Sequence, residues 1–559
     1  MERSGRAEPE LVFLPLGGVG EIGMNLALYG FGTPKGRKWI MVDCGVNFGD
    51  ESVPGVDLLL PDISFIEAER HNLLGILLTH AHEDHYGALI DLWPRLKVPV
   101  YATPFTAGML MAKCAGEPGA PKIPVNVVPQ GGRVTLGPFE VEYVAMSHSI
   151  PEPNALAIRT AAGLVVHSGD WKVDPAPGVG LPIDLARLKA LGDEGVRAFM
   201  CDSTNVLSPG RSPSEASVAE GLTRVIARAK YRVAVTTFAS NVARIRAVAK
   251  AAAANDRQVV VMGRSLWRVI EVGRELGMFD DVPDFLDQES YGYLPRDKVV
   301  AMMTGSQGEP RAALARIASG DHRDVALSPG DLVVFSARAI PGNERAIGEV
   351  MNALARDGVE ILTDRDALIH ASGHPRQDEL ADLYELLRPQ VLIPVHGEPM
   401  HLAAHGRFAR RQGIRRTLVI GNGQMVRLGP GEADVIDAME PGQLYKDGRL
   451  VVEPEKSGVQ DRRRASFAGV VVVSLVLARD GTTPAEPEVA VIGLPDEDGR
   501  GNSMADVVKT AAAGVLTSIP RTRRRDPALV AEAVRRASRA AVAEVWGKKP
   551  LCRVLTTVV

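Results

Sequence analysis

"LLTHAHEDHYGAL", residues 77–89, places three histidines and two acids between His80 and His85, directly behind an apolar run. The chain holds twelve histidines in 559 residues, so a quarter of them stand in six positions. A polar turn with Asp84 as a helix cap would account for one histidine. It does not account for three neighbouring imidazoles, which have little structural use. The apolar run reads as a strand ending at Thr79, and "GALIDLW" as the start of a helix, which puts the cluster on a strand-to-helix loop. Loops at strand ends are where sites are commonly built. Imidazole nitrogen and carboxylate oxygen at this density suit Zn²⁺ or Mn²⁺, and the spacing lets His80 and His82 reach one ion while Asp84 and His85 reach a second. Other candidates close predicted strands elsewhere: His148 ends "VEYVAMSH", Asp170 ends "VVHSGD" and His396 ends "VLIPVH".

Two patterns alternate outward from this loop. Residues 11–205 read mostly as short strands rich in Val and Ile, such as "LVFLPLGG", "KWIMVDCG" and "VRAFMCDST", punctuated by Gly and Pro. From 215 to 370 strands such as "YRVAVTTF", "QVVVMG" and "DLVVFSA" alternate with helical stretches such as "SVAEGLTRVIARAK" and "NVARIRAVAKAAAA". Alternation of that kind predicts βαβ units and a parallel sheet. Residues 440–465 are charged and irregular and read as a linker. Behind them, "GVVVVSLVLA" and "DPALVAEAVRRASRAAVAEVW" supply a strand and a helix for a small α/β domain.

Composition excludes more than it selects. Hydrophobic residues make up 45% and charged residues 24%, values of a globular protein, and no apolar run is long enough for a membrane span. The polar start "MERSGRAEPE" lacks the apolar core of a signal peptide, so a cytoplasmic location is expected. Cys44, Cys114, Cys201 and Cys552 lie far apart in no C-x-x-C pattern, so neither a disulfide framework nor a cysteine zinc knuckle is indicated. A net charge of −4 does not announce nucleic acid, although "DRRR" (461–464) and "RTRRR" (521–525) are locally basic.

The order His80-x-His82-x-Asp84-His85, then His148, then Asp170 resembles the metallo-β-lactamase superfamily. The later stretches "HASGH" (370–374) and "HGE" (396–398) resemble its β-CASP group of nucleic-acid-processing enzymes. "PLGGVGEIGMN" (15–25), "DCGV" (43–46), "HSIP" (148–151), "SGDWK" (168–172), "TFASN" (237–241) and "TGSQGEP" (304–310) narrow the resemblance to the bacterial ribonuclease J family. Trp171 and Glu152 depart from that pattern, where Phe and Asp are expected.

The resemblance implies an α/β fold: a metallo-β-lactamase αββα sandwich in two parts (1–207 and 376–450), an inserted parallel-sheet β-CASP domain (208–375), a linker (451–464) and a small C-terminal α/β domain (465–559). It implies two Zn²⁺ per subunit, with Mn²⁺ as the alternative. Asp170 would bridge the ions, with His80, His82 and His148 on the first and Asp84, His85 and His396 on the second. Asp202 and His374 are implied as catalytic residues. Phe238, Ala239, Ser240 and the run His370, Ala371, Ser372, Gly373, His374 are implied as substrate contacts. The implied activity is 5′-to-3′ exonucleolytic and endonucleolytic hydrolysis of RNA by a hydroxide held between the metals, in RNA maturation and decay. RNA with a 5′ monophosphate is the expected substrate and a homodimer or homotetramer the expected assembly, with RNA-decay or ribosome-associated proteins as partners and no membrane. Another hydrolase of the same fold, a DNA nuclease or thioesterase, is the alternative.

Overall fold

Strand ends decide where chemistry can be placed in this protein, and the strands that matter are buried on both faces. The structure is a computed structural model and describes residues 8–340 and 342–559. Val196–Asp202 and Val391–Val395 are nearly continuous apolar runs that pair in parallel with each other, and Val196–Asp202 pairs in parallel with Gly163–His167 on its other side. Parallel strands covered on both sides need such runs, since neither face meets water. With Asn154–Thr160, Phe139–Ala145, Arg133–Leu136 and Arg416–Thr417 they form a seven-stranded sheet.

A second sheet of eight strands runs from Asp434–Ala438 through Gln424–Gly429, Glu10–Gly17, Leu26–Gly32, Lys38–Val42, Leu73–Leu77 and Val100–Ala102 to Val125–Val127. Its side chains Phe13, Tyr29, Ile40 and Val42 pack into one core with Val141, Tyr143, Leu156, Ile158, Met200 and Ile393 of the first sheet. Helices Leu185–Glu194, Gln377–Leu387 and Pro399–Arg411 cover the outer face of the seven-stranded sheet through Leu188, Leu191, Leu380, Leu383 and Phe408. Helix Ser64–Ala68 lies on the eight-stranded sheet through Phe65 against Trp39, so the order is helix, sheet, sheet, helix.

Between Asp202 and Val391 the chain builds a five-stranded, all-parallel sheet in the order Gln258–Met262, Val299–Met303, Val233–Thr236, Leu332–Phe335, Glu360–Leu362. The sandwich and this sheet belong to one compact unit, residues 1–47 and 60–442. They are joined by charges held out of water. Lys172, Asp174 and Arg244 are 0% exposed and Glu215 3%. Lys172 Nζ lies 2.9 Å from Asp174 Oδ2 and 3.9 Å from Glu215 Oε1, while the Arg244 guanidinium clasps both Glu215 oxygens at 3.0–3.2 Å. Two positive and two negative groups balance, which is what lets them be buried.

A second unit comprises residues 48–59 and 443–559. It contains the sheet Glu488–Ile492, Val470–Leu477, Leu551–Val558, packed against helices Met504–Ser518 and Pro527–Trp546. The stretch expected to be an irregular linker, 451–464, is ordered. Gln443–Asp447 and Leu450–Val452 form a hairpin, and Val459–Ala468 is a helix. Its charges have partners: Arg462 pairs with Asp447 and donates to the Pro54 carbonyl, while Val459 packs on Val53 and Val56. Charge density there reflects a paired surface, which composition alone does not distinguish from a solvated linker.

Candidate active site

Every loop that carries a candidate ligand leaves the same edge of the sandwich. Leu73–Leu77 delivers residues 79–85, Phe139–Ala145 delivers His148, Gly163–His167 delivers Asp170, Val196–Asp202 ends on its own carboxylate, and Val391–Val395 delivers His396. The helix behind the opening motif starts earlier than expected. Glu83–Tyr86 already forms one turn, so Asp84 and His85 are helical, and Leu89–Leu96 follows as a separate helix.

Three donor groups result among the described residues: Asp170, Asp202, His374 and His396 form one at the rim, and the other two hold the seven expected ligands. Of those two, His80, His82, His148 and Asp170 form the first, and Asp84, His85, Asp170 and His396 the second, with the ligand atoms of each group within 4.8 Å of one another. In the first, His82 Nδ1 lies 3.0 Å from His80 Nε2 and 3.1 Å from His148 Nε2. In the second, Asp84 Oδ2 is 3.2 Å from His396 Nε2 and 3.7 Å from His85 Nε2. Asp170 Oδ2 belongs to both, at 3.8 Å from His80 Nε2, 3.7 Å from His148 Nε2, 3.2 Å from His85 Nε2 and 3.8 Å from His396 Nε2.

The inward atoms are fixed by what each ring does on its other side. His85 Nδ1–H donates to Asp43 Oδ2 at 2.7 Å, His148 Nδ1–H to the Gly373 carbonyl at 2.6 Å, and His396 Nδ1–H to Thr204 Oγ1 at 2.8 Å. His80 Nδ1 is 3.0 Å from Thr79 Oγ1, which itself donates to Asp43 at 2.8 Å. His82 is turned the opposite way, with Nδ1 inward and Nε2 3.1 Å from Ser240 Oγ. Partners of this kind select the tautomer and set ligand basicity.

Electrostatics test whether the donors suit cations. Burial holds the His80 and His148 imidazoles well below their usual value and His82 at about 4, so three neutral ring nitrogens face one another with lone pairs available. For His396 burial acts downward, but Asp170, Asp202 and Asp84 outweigh it and raise the ring to about 10; Asp170, Asp84 and Asp43 likewise raise His85. Protons there stand where a cation would neutralise the same carboxylates. Asp170 Oδ1 is buried and has no hydrogen-bond partner among the described residues. Soft nitrogen donors, shared carboxylates and an unsatisfied oxygen fit metal ions of the Zn²⁺ or Mn²⁺ type.

Asp202 and His374 join at the rim of this cluster. His374 Nδ1–H donates to Asp202 Oδ2 at 2.7 Å, and the His374 ring stacks at 5.5 Å on that of His396. Burial would lower His374, yet Asp202 and Asp170 raise it overall. Phe238, Ala239 and Ser240 are half-buried in the turn ahead of helix Val242–Ala253, whose cap is the Asn241 side chain accepting from Arg244 N–H. In the 370–374 loop Ala371 and Gly373 are buried, Ser372 Oγ accepts from Asn205 at 2.8 Å, and burial together with Arg244 holds His370 near 3.

Sequence reasoning assigned no role to Asp43, Asn25, Thr79 or Thr204. Asn25 Nδ2 lies 3.0 Å from His85 Nε2 and donates to the Asp84 carbonyl. The motifs "DCGV" and "GMN" carried the only signal, and it named no function. Glu83, the acid in the motif with no assigned ligand role, bonds Lys113. Of the two departures, Trp171 is wholly buried and Glu152 accepts from Phe105 N–H at 2.8 Å.

Comparison with known proteins follows the same divisions. Residues 38–191 match a beta-lactamase superfamily domain, 230–354 the ribonuclease J beta-CASP domain, 358–416 a Zn-dependent metallo-hydrolase RNA specificity domain, and 457–559 the ribonuclease J C-terminal domain. Over 550 residues the sequence is 54% identical to the ribonuclease J of Sinorhizobium meliloti, covering 98% of both chains. The chain belongs to the ribonuclease J family. Ribonuclease J of Mycolicibacterium smegmatis is 38% identical, over 96% of this chain and 95% of that one. The Corynebacterium glutamicum relative is 37% identical, over 97% and 75%. A crystal structure of a protein of unknown function from Enterococcus faecalis V583 superposes with a TM-score of 0.52 at 16% identity, covering 75% of this chain and all of that one, a likeness of fold alone. Ribonuclease J membership makes the chain a metal-binding, RNA-binding hydrolase of the nuclease class with a metallo-β-lactamase domain, a β-CASP insertion and a C-terminal domain. No helix among the described residues is long and apolar enough to cross a membrane.

Proposed function

We propose that this ribonuclease J family member hydrolyses RNA phosphodiesters with two bound metal ions, removing nucleotides from a 5′-monophosphorylated end and also cutting internally. The observation that carries this reading is the single oxygen Asp170 Oδ2 shared by the two donor groups. His80, His82, His148 and Asp170 would hold the first ion, and Asp84, His85, His396 and Asp170 the second, as Zn²⁺ or Mn²⁺. Bound there, the pair would supply Lewis acidity to a phosphate and a lowered pKa to an attacking water.

The protein's own groups do the rest. Asp202 accepts from His374 Nδ1–H and fixes the ring, leaving Nε2 to give a hydrogen bond or a proton to the departing oxygen. Phe238 offers a face on which a base stacks. Ala239, Ser240 and residues His370 to His374 line the substrate path, where the glycine lets backbone approach a phosphate. Action in the cytoplasm as a dimer or tetramer, alongside RNA-decay or ribosome-associated proteins, belongs to the same reading.

The test is cleavage of one RNA sequence bearing a 5′ monophosphate or a 5′ triphosphate by wild type and His82→Ala, resolved to single nucleotides. Stepwise loss from the monophosphorylated end together with internal cuts, both absent in the variant, is expected. Full activity in His82→Ala would refute the two-metal reading; equal turnover of DNA would move the substrate class.

A further inference from the structure

Five imidazoles serve the two donor groups, and their orienting partners divide unequally. His80, His85 and His396 lean on Thr79, Asp43 and Thr204, all part of the sandwich itself. The other two lean elsewhere. His82 Nε2–H donates to Ser240 Oγ at 3.1 Å, and Ser240 lies between strand Val233–Thr236 and helix Val242–Ala253 of the inserted sheet. His148 Nδ1–H donates at 2.6 Å to the carbonyl of Gly373, in the loop that follows the last strand of that sheet.

Gly373 is pressed against the ring it orients. A Cβ there would come within 2.5 Å of both Cε1 and Nδ1 of His148, so the loop cannot move toward the sandwich without displacing the imidazole. Both His82 and His148 belong to the first donor group and neither to the second. The second group's histidines, His85 and His396, have no hydrogen bond to residues 237–241 or 370–374 among the described contacts, and meet that loop only where the His374 ring stacks on His396.

We propose that the first metal position is coupled to occupancy of the RNA-binding loops more strongly than the second, through Ser240 acting as a positioning residue on His82. This rests on the reading above that residues 238–240 and 370–374 contact RNA. An RNA strand that orders these loops fixes two of the first position's ligands in the orientation that coordinates. Reciprocity then requires the first ion to tighten RNA by the same factor that RNA tightens the ion. Loss of an orienting partner commonly weakens a metal site about 10- to 100-fold, which sets the scale for removing the Ser240 hydroxyl.

The experiment titrates Zn²⁺ into the metal-stripped full-length protein against a competing chromophoric chelator, with and without a 5′-monophosphorylated 2′-O-methyl phosphorothioate RNA that resists cleavage. RNA binding is followed in parallel by fluorescence anisotropy. Wild type is expected to show two Zn²⁺ steps, one strengthened about tenfold or more by RNA and the other by a clearly smaller factor. Ser240→Ala should weaken that same step, abolish its response to RNA and leave the second step in place. Ser240→Thr, which keeps the hydroxyl, should restore both properties. Two unchanged Zn²⁺ steps in Ser240→Ala, or an RNA that binds and moves neither step or both equally, would overturn the coupling while leaving the proposed function standing. RNA that fails to bind at all would overturn both.

Discussion

Replacing Arg244 with Met tests the buried charge cluster that ties the inserted sheet to the sandwich. The guanidinium makes three bonds to Glu215 and three more to Ser336 O, Ser336 Oγ and Ile369 O, at 2.6–3.2 Å. Methionine fills much of the same volume but answers none of these. The two carbonyls are not orphaned, because Ile369 O still accepts from Ser336 Oγ and Ser336 O from Thr237 Oγ1. The loss therefore falls on Glu215, left with Lys172 at 3.9 Å in a cluster that now carries a net negative charge. Breaking a buried pair costs about 3–5 kcal/mol, and the remaining lysine puts this case at the lower end, about 3 kcal/mol. Local opening should rise roughly a hundredfold.

Hydrogen–deuterium exchange read by mass spectrometry isolates that opening in a chain of two units. Amides of helix Val242–Ala253 and of residues 369–374 should exchange faster by that factor, while those of Val470–Leu477 stay unchanged. The double variant Arg244→Met/Glu215→Gln removes both charges, leaves Lys172 matched to Asp174, and should recover more than half of the loss. Exchange within threefold of wild type in Arg244→Met, or a double variant no better than the single one, would refute the reasoning.

Two other expectations follow. Asp43→Asn keeps the side-chain shape and a residue that tolerates the positive φ of 62°, but removes the charge facing His85 Nδ1–H; Zn²⁺ affinity should fall about 10- to 100-fold in equilibrium dialysis against a chelator, and an unchanged affinity would count against it. His405, bonded to Ser203 Oγ at 2.8 Å and Tyr384 OH at 2.5 Å, is held at about 4 by burial. An unfolded histidine near 6.5 takes up its proton first, so the stability that neutral His405 contributes is complete above about pH 6.5 and is lost as the pH falls toward 4. Between pH 7 and 5 wild type should lose about 2 kcal/mol more than His405→Asn, read from urea titrations at each pH; parallel pH profiles would exclude His405 as the cause.

The opening motif pointed to a metal site because imidazoles two and three positions apart on a tight loop are rarely anything else. Strand ends were legible for a related reason: His148, Asp170 and His396 are polar groups closing apolar runs, and a buried sheet leaves such groups only its rim. Alternation of strands and helices between 215 and 370 gave away the parallel sheet, since hydrophobic period is local. What stayed hidden depends on distance. Asp43 looks like any acid after a strand until its left-handed backbone turns it onto His85. Nothing in the sequence marks Lys172, Glu215 and Arg244 as buried, and only the meeting of residues 29 to 72 positions apart reveals that they are dry. Ser240 read as a substrate contact, because nothing in "TFASN" says that its hydroxyl reaches a histidine 158 residues earlier.

The second unit is assembled from residues 48–59 and residues 443–559, and this has a consequence in time. A chain leaves the ribosome from its N-terminus at roughly 5–20 residues per second, so the early segment emerges about 20 to 80 s before the partners that complete it. Throughout that interval Val53 and Val56 lack Val459 and Tyr445, apolar neighbours they finally pack against. Birth order and spatial order disagree here. A later stretch must come back for a much earlier one, and a nascent chain halted short of residue 459 carries that early loop without its cover.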